Sequence, residues 1–277
     1  ILDMNKQETL VEQLNSCPGL KGGRGLEIRS WSDLPQGSGL GTSSILGACI
    51  VACAARAACI ELNRSEIVHA VLLAEQLLST GGGWQDQVGG VYGGAKLSSS
   101  DATLPVRVET KTISMPSGFH ETLGQHLVLV YTGRQRLARN LLQNVVRRWY
   151  ARLPEIVSTE NDLVLNAQDA AVALKNGKCL SLYWEQKKTM AAGCEPAFVR
   201  EMIFALSDMI YGASLAGAGG GGFLILLTKK PNAIDSLRHR LSSRKINTSG
   251  MVFHTVSVDT AGLSLFLEEE KKKKKSG

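Results

Sequence analysis

The residues best equipped for chemistry stand among glycines. The first group is Pro35-Gln36-Gly37-Ser38-Gly39-Leu40-Gly41-Thr42-Ser43-Ser44. Glycines at alternate positions let backbone N–H groups converge on an anion, and a helix beginning just beyond them adds the partial positive charge of its N-terminus. The hydroxyls of Thr42, Ser43 and Ser44 can meet a phosphate oxygen or a metal ion. Two familiar loops are excluded by spacing. A Walker A loop needs Lys immediately before its Ser or Thr, and there is no lysine between Lys21 and Lys96. A dinucleotide fingerprint needs a third glycine where Thr42 stands, and an acidic ribose partner after a strand where this sequence reads as helix.

Two carboxylates follow. Glu75 falls in a helix expected over Glu66–Leu78, on the same face as Val68, Val71, Leu72 and Leu78, whereas Glu66, His69 and Gln76 fall on the other side. An ionised carboxylate facing inward needs a cation, either Arg or Lys from elsewhere or a metal. The phosphate loop favours Mg²⁺, which bridges nucleotide phosphates through one or two protein oxygens. Asp86 stands in Gly81-Gly82-Gly83-Trp84-Gln85-Asp86-Gln87-Val88-Gly89-Gly90, just past that helix. It is either a turn-former or a group that accepts or orients the proton of an attacking hydroxyl. A second glycine cluster, Leu215-Ala216-Gly217-Ala218-Gly219-Gly220-Gly221-Gly222, abuts the apolar segment Phe223–Leu227. It suits close backbone approach to a ligand or another loop.

The elements that position these residues alternate without strict βαβ repetition, which indicates an α+β fold. Strands are expected at Gly25–Ser30, Val88–Leu97, Leu104–Ile113, Leu127–Tyr131, Phe223–Thr228 and Val252–Val258. Helices are expected at Ser43–Leu62, at Glu66–Leu78 with Ser65 as N-cap, and near Leu137–Arg152, Glu160–Asn176, Leu180–Ala191, Pro196–Ile210 and Ala233–Ser242. A boundary is placed near residue 118, giving an N-terminal lobe (1–118), a C-terminal lobe (119–266) and a low-complexity charged tail (267–277).

Composition narrows the partners. With 277 residues the chain has ample length for a buried core. The net charge is +6, of which five lysines and three glutamates in the tail supply +2. No basic run alternates with aromatics, so no nucleic-acid surface is expected. No apolar run reaches the length of a membrane span, and no signal peptide is visible. Six cysteines without a C-x-x-C pair read as buried free thiols of a cytoplasmic protein.

Taken together, three segments carry a resemblance. PQGSGLGTSS resembles the central phosphate-binding motif of the GHMP kinases, LAGAGGGGF their C-terminal glycine motif, and AEQLL…GGGWQDQVGG the segment holding their magnesium-binding Glu and catalytic Asp. WQDQVGGVYGG and YTGRQRLAR resemble the sugar-kinase branch that contains L-fucose kinase and the heptose-phosphate kinases. The similarity is to the C-terminal kinase portion of the former. The resemblance implies a two-lobed fold with a ferredoxin-like second lobe. It also implies ATP-dependent phosphorylation of a sugar at its anomeric hydroxyl, with L-fucose preferred over a heptose phosphate. By position it makes Asp86 catalytic and Ser43 and Glu75 the Mg²⁺ ligands. It assigns ATP to Pro35, Gly37, Ser38, Gly39, Leu40, Gly41, Thr42, Ser43 and Ser44, and to Gly217, Gly219, Gly220 and Gly221. Two departures accompany it. Ser214 stands where many relatives carry Lys, and the family's first motif would precede residue 1. The expectation is therefore a truncated first lobe, with most of an ATP site and an incomplete sugar site.

Overall fold

The computed structural model describes residues 27–78, 82–134, 139–172 and 178–266. Just after the phosphate loop, the small-residue run forms α1 (Thr42–Ala57), with Ala48 and Ala52 buried. Its short side chains let two helices pack close. A β-carbon built on Gly47 of α1 would lie 3.1 Å from Val71, which belongs to α2 (Arg64–Leu77). One built on Gly90 would lie 2.5 Å from Ile45; Gly90 belongs to α3 (Gln85–Val91).

The start of α2 is set two residues earlier than Ser65. Asn63 is the N-cap, accepting from the Glu66 backbone N–H while the Glu66 carboxylate accepts from that of Asn63, a reciprocal capping box. Val68, Val71 and Leu72 are buried as expected, but Leu78 is 77% exposed, because the helix ends at Leu77. Ala48, Ala52, Ile67, Val68, Val71, Val88 and Val91 form one apolar core.

The strand expected over Val88–Leu97 is corrected. Residues 85–91 are helical, and the strand β1 is Lys96–Ser100. It pairs antiparallel with β2 (Val108–Thr112), which is shorter than the expected Leu104–Ile113. Residues 27–30 carry no strand, and residues 25–26 lie outside the described ones.

After α4 (Phe119–His126) the second core begins. Its sheet uses β3 (Leu127–Tyr131), β4 (Ile210–Leu215), β5 (Phe223–Thr228) and β6 (Val252–Thr255). Between β3 and β4 run α5 (Arg139–Tyr150), α6 (Pro154–Val172), α7 (Lys178–Met190) and α8 (Ala197–Leu206); α9 (Ile234–Ser243) precedes β6. The spatial order β4-β5-β3-β6 is antiparallel throughout. This is the β-α-β-β-α-β arrangement of a ferredoxin-like sheet, with four helices in its first crossover. Val128, Val130, Leu224 and Leu226 face Met202, Leu206, Leu237 and Leu241 in one cluster. The helix expected to run to Ile210 stops at Leu206, and Ile210 opens β4. Edge strand β4 was not foreseen.

The chain then returns to the first core. Gly94 N–H donates to Asp259 O at 2.7 Å, Arg64 reaches Ala261 O at 2.8 Å, and Leu263 packs beside Val91. Cys49, Cys53, Cys59, Cys179 and Cys194 are free thiols, but of these Cys194 alone is buried as expected, while Cys53 and Cys59 are exposed; Cys17 and the expected tail lie outside the described residues. Among the described residues no helix is long and apolar enough to cross a membrane.

Candidate active site

The phosphate loop is built by backbone geometry. Pro35 O accepts from Ser38 N–H at 3.2 Å, closing its first turn. Ser38 is buried, shares a hydrogen bond with Thr42 between hydroxyls at 3.2 Å, and accepts from Leu40 N–H at 3.3 Å. Gly37, Gly39 and Gly41 all have positive φ, the region where a side chain is strained. Gly41 is also the N-cap of α1 and offers no capping side chain. The amides of the first turn are thus left to a ligand or solvent.

Glu75 reaches this helix end. Ser44 Oγ donates to one carboxylate oxygen at 2.6 Å, and Gln87 Nε2 donates to the other at 2.9 Å. Ser44 and Gln87 are buried, whereas Ser43 is exposed on the first turn of α1. The serine hydrogen-bonded to Glu75 is therefore Ser44. The inward-facing carboxylate inferred from the periodicity meets two neutral donors, the Ser44 hydroxyl and the Gln87 amide, in these bonds.

Asp86, on the first turn of α3, stands against Gly41. A β-carbon on Gly41 would approach the Asp86 Cβ and Cγ to 3.0 Å. Burial pushes the Asp86 carboxyl above its ordinary value, with the positive charge of Lys187 opposing the shift.

The second glycine cluster completes the wall. Ser38 O accepts from Phe223 N–H at 3.1 Å, and Gly222 N–H donates to Arg134 O at 2.8 Å. The two glycine-rich loops thus lie backbone to backbone. Gly39, Gly41, Ser44, Glu75, Asp86 and Gly217 line one cavity of about 610 Å³, which α5 and α7 close with Leu141, Leu142, Tyr183 and Lys187. Gly219, Gly220 and Gly221 are not among the lining residues. Gly219 packs on Cys194, and Gly220 N–H donates to Cys194 O at 2.6 Å.

Residues 7–94 match the GHMP kinases N terminal domain, and residues 170–247 match the GHMP kinases C terminal region. The chain belongs to the GHMP kinases. Among curated proteins it is 36% identical over 223 residues to a bifunctional fucokinase/GDP-fucose pyrophosphorylase from Arabidopsis thaliana, covering 78% of this chain and 21% of that protein. It is 32% identical over 245 residues to an L-fucokinase/L-fucose-1-P guanylyltransferase from Bacteroides fragilis, covering 86% and 25% respectively. The chain thus spans about a fifth to a quarter of the length of these relatives. Among solved structures, the Lactococcus lactis galactokinase complexed with galactose superposes with a TM-score of 0.62 at 18% identity, covering 93% of this chain and 76% of that one.

Within this GHMP kinase chain, the polar side chains on the largely apolar cavity wall include Glu75, Asp86 and the Ser44 hydroxyl. A carboxylate, hydroxyls and a second carboxylate suit a hard divalent cation that keeps some water and phosphate oxygen in its shell. One charged side chain that lines the cavity was missed from the sequence. Lys187, in the last turn of α7, donates from Nζ to Leu215 O at 2.9 Å and also to Gly217 O. The signal was available, since Trp184, Lys187 and Ala191 share one helix face by the same spacing that singled out Glu75.

Proposed function

We propose that this chain carries the nucleotide site and phosphoryl-transfer centre of an ATP-dependent sugar kinase. The preferred substrate is L-fucose, phosphorylated at its anomeric hydroxyl. The observation that supports it most is the convergence of Gly39, Gly41, Ser44, Glu75, Asp86 and Gly217 on one cavity. Sequence relatedness to two fucokinases favours L-fucose over a heptose phosphate.

In this reading the loop from Pro35 to Ser44 takes the triphosphate on its backbone N–H groups and the amino end of α1. Glu75, with a serine hydroxyl of the first turn of α1, holds Mg²⁺, which supplies charge neutralisation to the phosphate oxygens. Ser43 is the expected partner, and Ser44 together with Gln87 fixes the carboxylate in orientation. Asp86 receives the hydrogen of the attacking sugar hydroxyl, as its raised proton affinity suits. The sugar oxygen bonds to the γ-phosphorus, the bond to the β,γ-bridging oxygen breaks, and ADP leaves. Gly217 supports the nucleotide loop directly, and Gly219 and Gly220, set against Cys194, hold it in place from behind.

The test is ADP release with ATP, Mg²⁺ and L-fucose, beside a panel containing a heptose phosphate, in a protein that spans the length of the fucokinase relatives and so supplies the sugar contacts expected ahead of residue 1. Fucose-dependent release that Asp86→Asn abolishes is the expected result. Release with the heptose phosphate alone would shift the substrate assignment. ATP binding without turnover on any sugar would leave a nucleotide-binding module and remove the kinase assignment for this chain.

A further inference from the structure

Lys187 is 9% exposed, yet it carries an ammonium. Two of its three N–H donors are taken by carbonyls, those of Leu215 at the end of β4 and Gly217 at the start of the loop. Its Nζ also lies 5.4 Å from the ring centre of Tyr183 and 5.5 Å from that of Trp184, both within cation–π range. Gly217 in turn abuts Gly39, so the ammonium fastens the corner that presses one glycine loop on the other.

A neutral donor would fasten a turn equally well, and a buried ammonium is costly. What it adds is charge. The cavity wall holds two carboxylates, Glu75 and Asp86, and among the described residues that line it Lys187 is the one cation. A polyphosphate entering such a cavity meets acidic side chains unless a cation offsets them.

We propose that Lys187 is a phosphate-binding residue. Two of its N–H groups stay on Leu215 and Gly217, while the third, with the positive charge, engages a terminal phosphate oxygen of the bound nucleotide beside Asp86. This rests on the ATP-dependent kinase reading above. Burial brings the Lys187 pKa down to about 8, and electrostatic interaction with Cys194 and the Asp86 carboxylate opposes that shift. The groups around it are Asp86 from α3, Glu75 across the cavity on α2, Tyr183 on its own helix and Cys194 just beyond that helix. An arriving phosphate adds negative charge and favours the protonated form.

Equilibrium titrations with ATP, ADP and adenosine, in Mg²⁺ at pH 7.5, test the assignment on the wild type, Lys187→Met and Lys187→Arg. Loss of a charge-assisted hydrogen bond should weaken ATP roughly 10- to 100-fold in Lys187→Met. ADP should weaken less and adenosine hardly at all, with most of the ATP affinity kept in Lys187→Arg. Equal weakening of all three ligands would reduce Lys187 to a fastener of the turn and overturn the proposal. Unchanged ATP affinity in Lys187→Met would overturn it while leaving the kinase reading intact. A wild type that binds no nucleotide would overturn both. Should Lys187→Met melt or fail to fold, the wild type still decides: ATP affinity must fall between pH 7.5 and 9.5 while adenosine affinity holds, and a flat ATP profile sinks the idea.

Discussion

Gly39 and Gly217 touch through their backbones. A β-carbon placed on Gly217 would stand 2.8 Å from Gly39 Cα, and one placed on Gly39 would stand 2.8 Å from Ala216 O. Both residues also have positive φ, at 78° and 58°. Gly39→Ala and Gly217→Ala should therefore each separate the loops and cost about 1–3 kcal/mol of stability through strain and overpacking. Denaturant unfolding measures the loss, and nucleotide titration should show weaker binding in both. Either variant matching the wild type on both measurements would show that the loops need not meet.

Asp86→Asn keeps the shape of α3 and removes the proton acceptor. Turnover should fall about 10²- to 10⁴-fold, the usual range for a general base, while ATP affinity stays close to wild type. Single-turnover kinetics beside a binding titration separates the two. Parallel loss of binding would place Asp86 among the nucleotide contacts instead.

Ser44→Ala deletes the 2.6 Å hydrogen bond to Glu75 and leaves Gln87 to hold that carboxylate. Outer groups that orient a metal-binding carboxylate are worth roughly 10- to 100-fold in metal affinity. The Mg²⁺ concentration giving half-maximal ATP binding should rise accordingly. Ser43→Ala should raise it too, because the exposed Ser43 hydroxyl is the proposed ligand. If Ser43→Ala changes nothing and Ser44→Ala does, the metal partner is Ser44.

Lys187 gives opposite pH dependences for folding and binding. Its folded-state pKa is about 8 against an ordinary 10.5. Below pH 8 the folded protein bears the full cost of a buried ammonium. From 8 to 10.5 the unfolded chain binds a proton that the folded chain has released, so this group's contribution to unfolding free energy rises with pH. ATP affinity moves the other way over the same window. Urea unfolding and ATP titration at matched pH values check both slopes, and Lys187→Met should flatten each.

Much of the site could be read from the sequence because its parts are local. The glycine spacing at 37–41 and the polar residue on an apolar helix face at Glu75 each lie within a few turns of chain. Strands β3 and β5 fall where alternation and apolar content placed them, at Leu127–Tyr131 and Phe223–Thr228. The misses have tertiary causes. Gln85–Val91 contains two adjacent glycines, poor helix formers, yet it is helical, and Gly90 leaves the room that Ile45 of α1 occupies. Strand β4 carries Gly212 in its middle and gains its identity from pairing with β5. Lys187 lay on a helix face that spacing could reveal, but its partners stand 28 and 30 positions away, beyond the reach of any local pattern.

The return of residues 259–263 to the first core gives the molecule a second covalent crossing between its two apolar clusters, besides the one ahead of α4. Separating the two clusters therefore requires releasing the contacts of residues 259–263 on the first core as well as those between the two glycine loops, so the far end of the chain ties down the very halves that meet at the cavity.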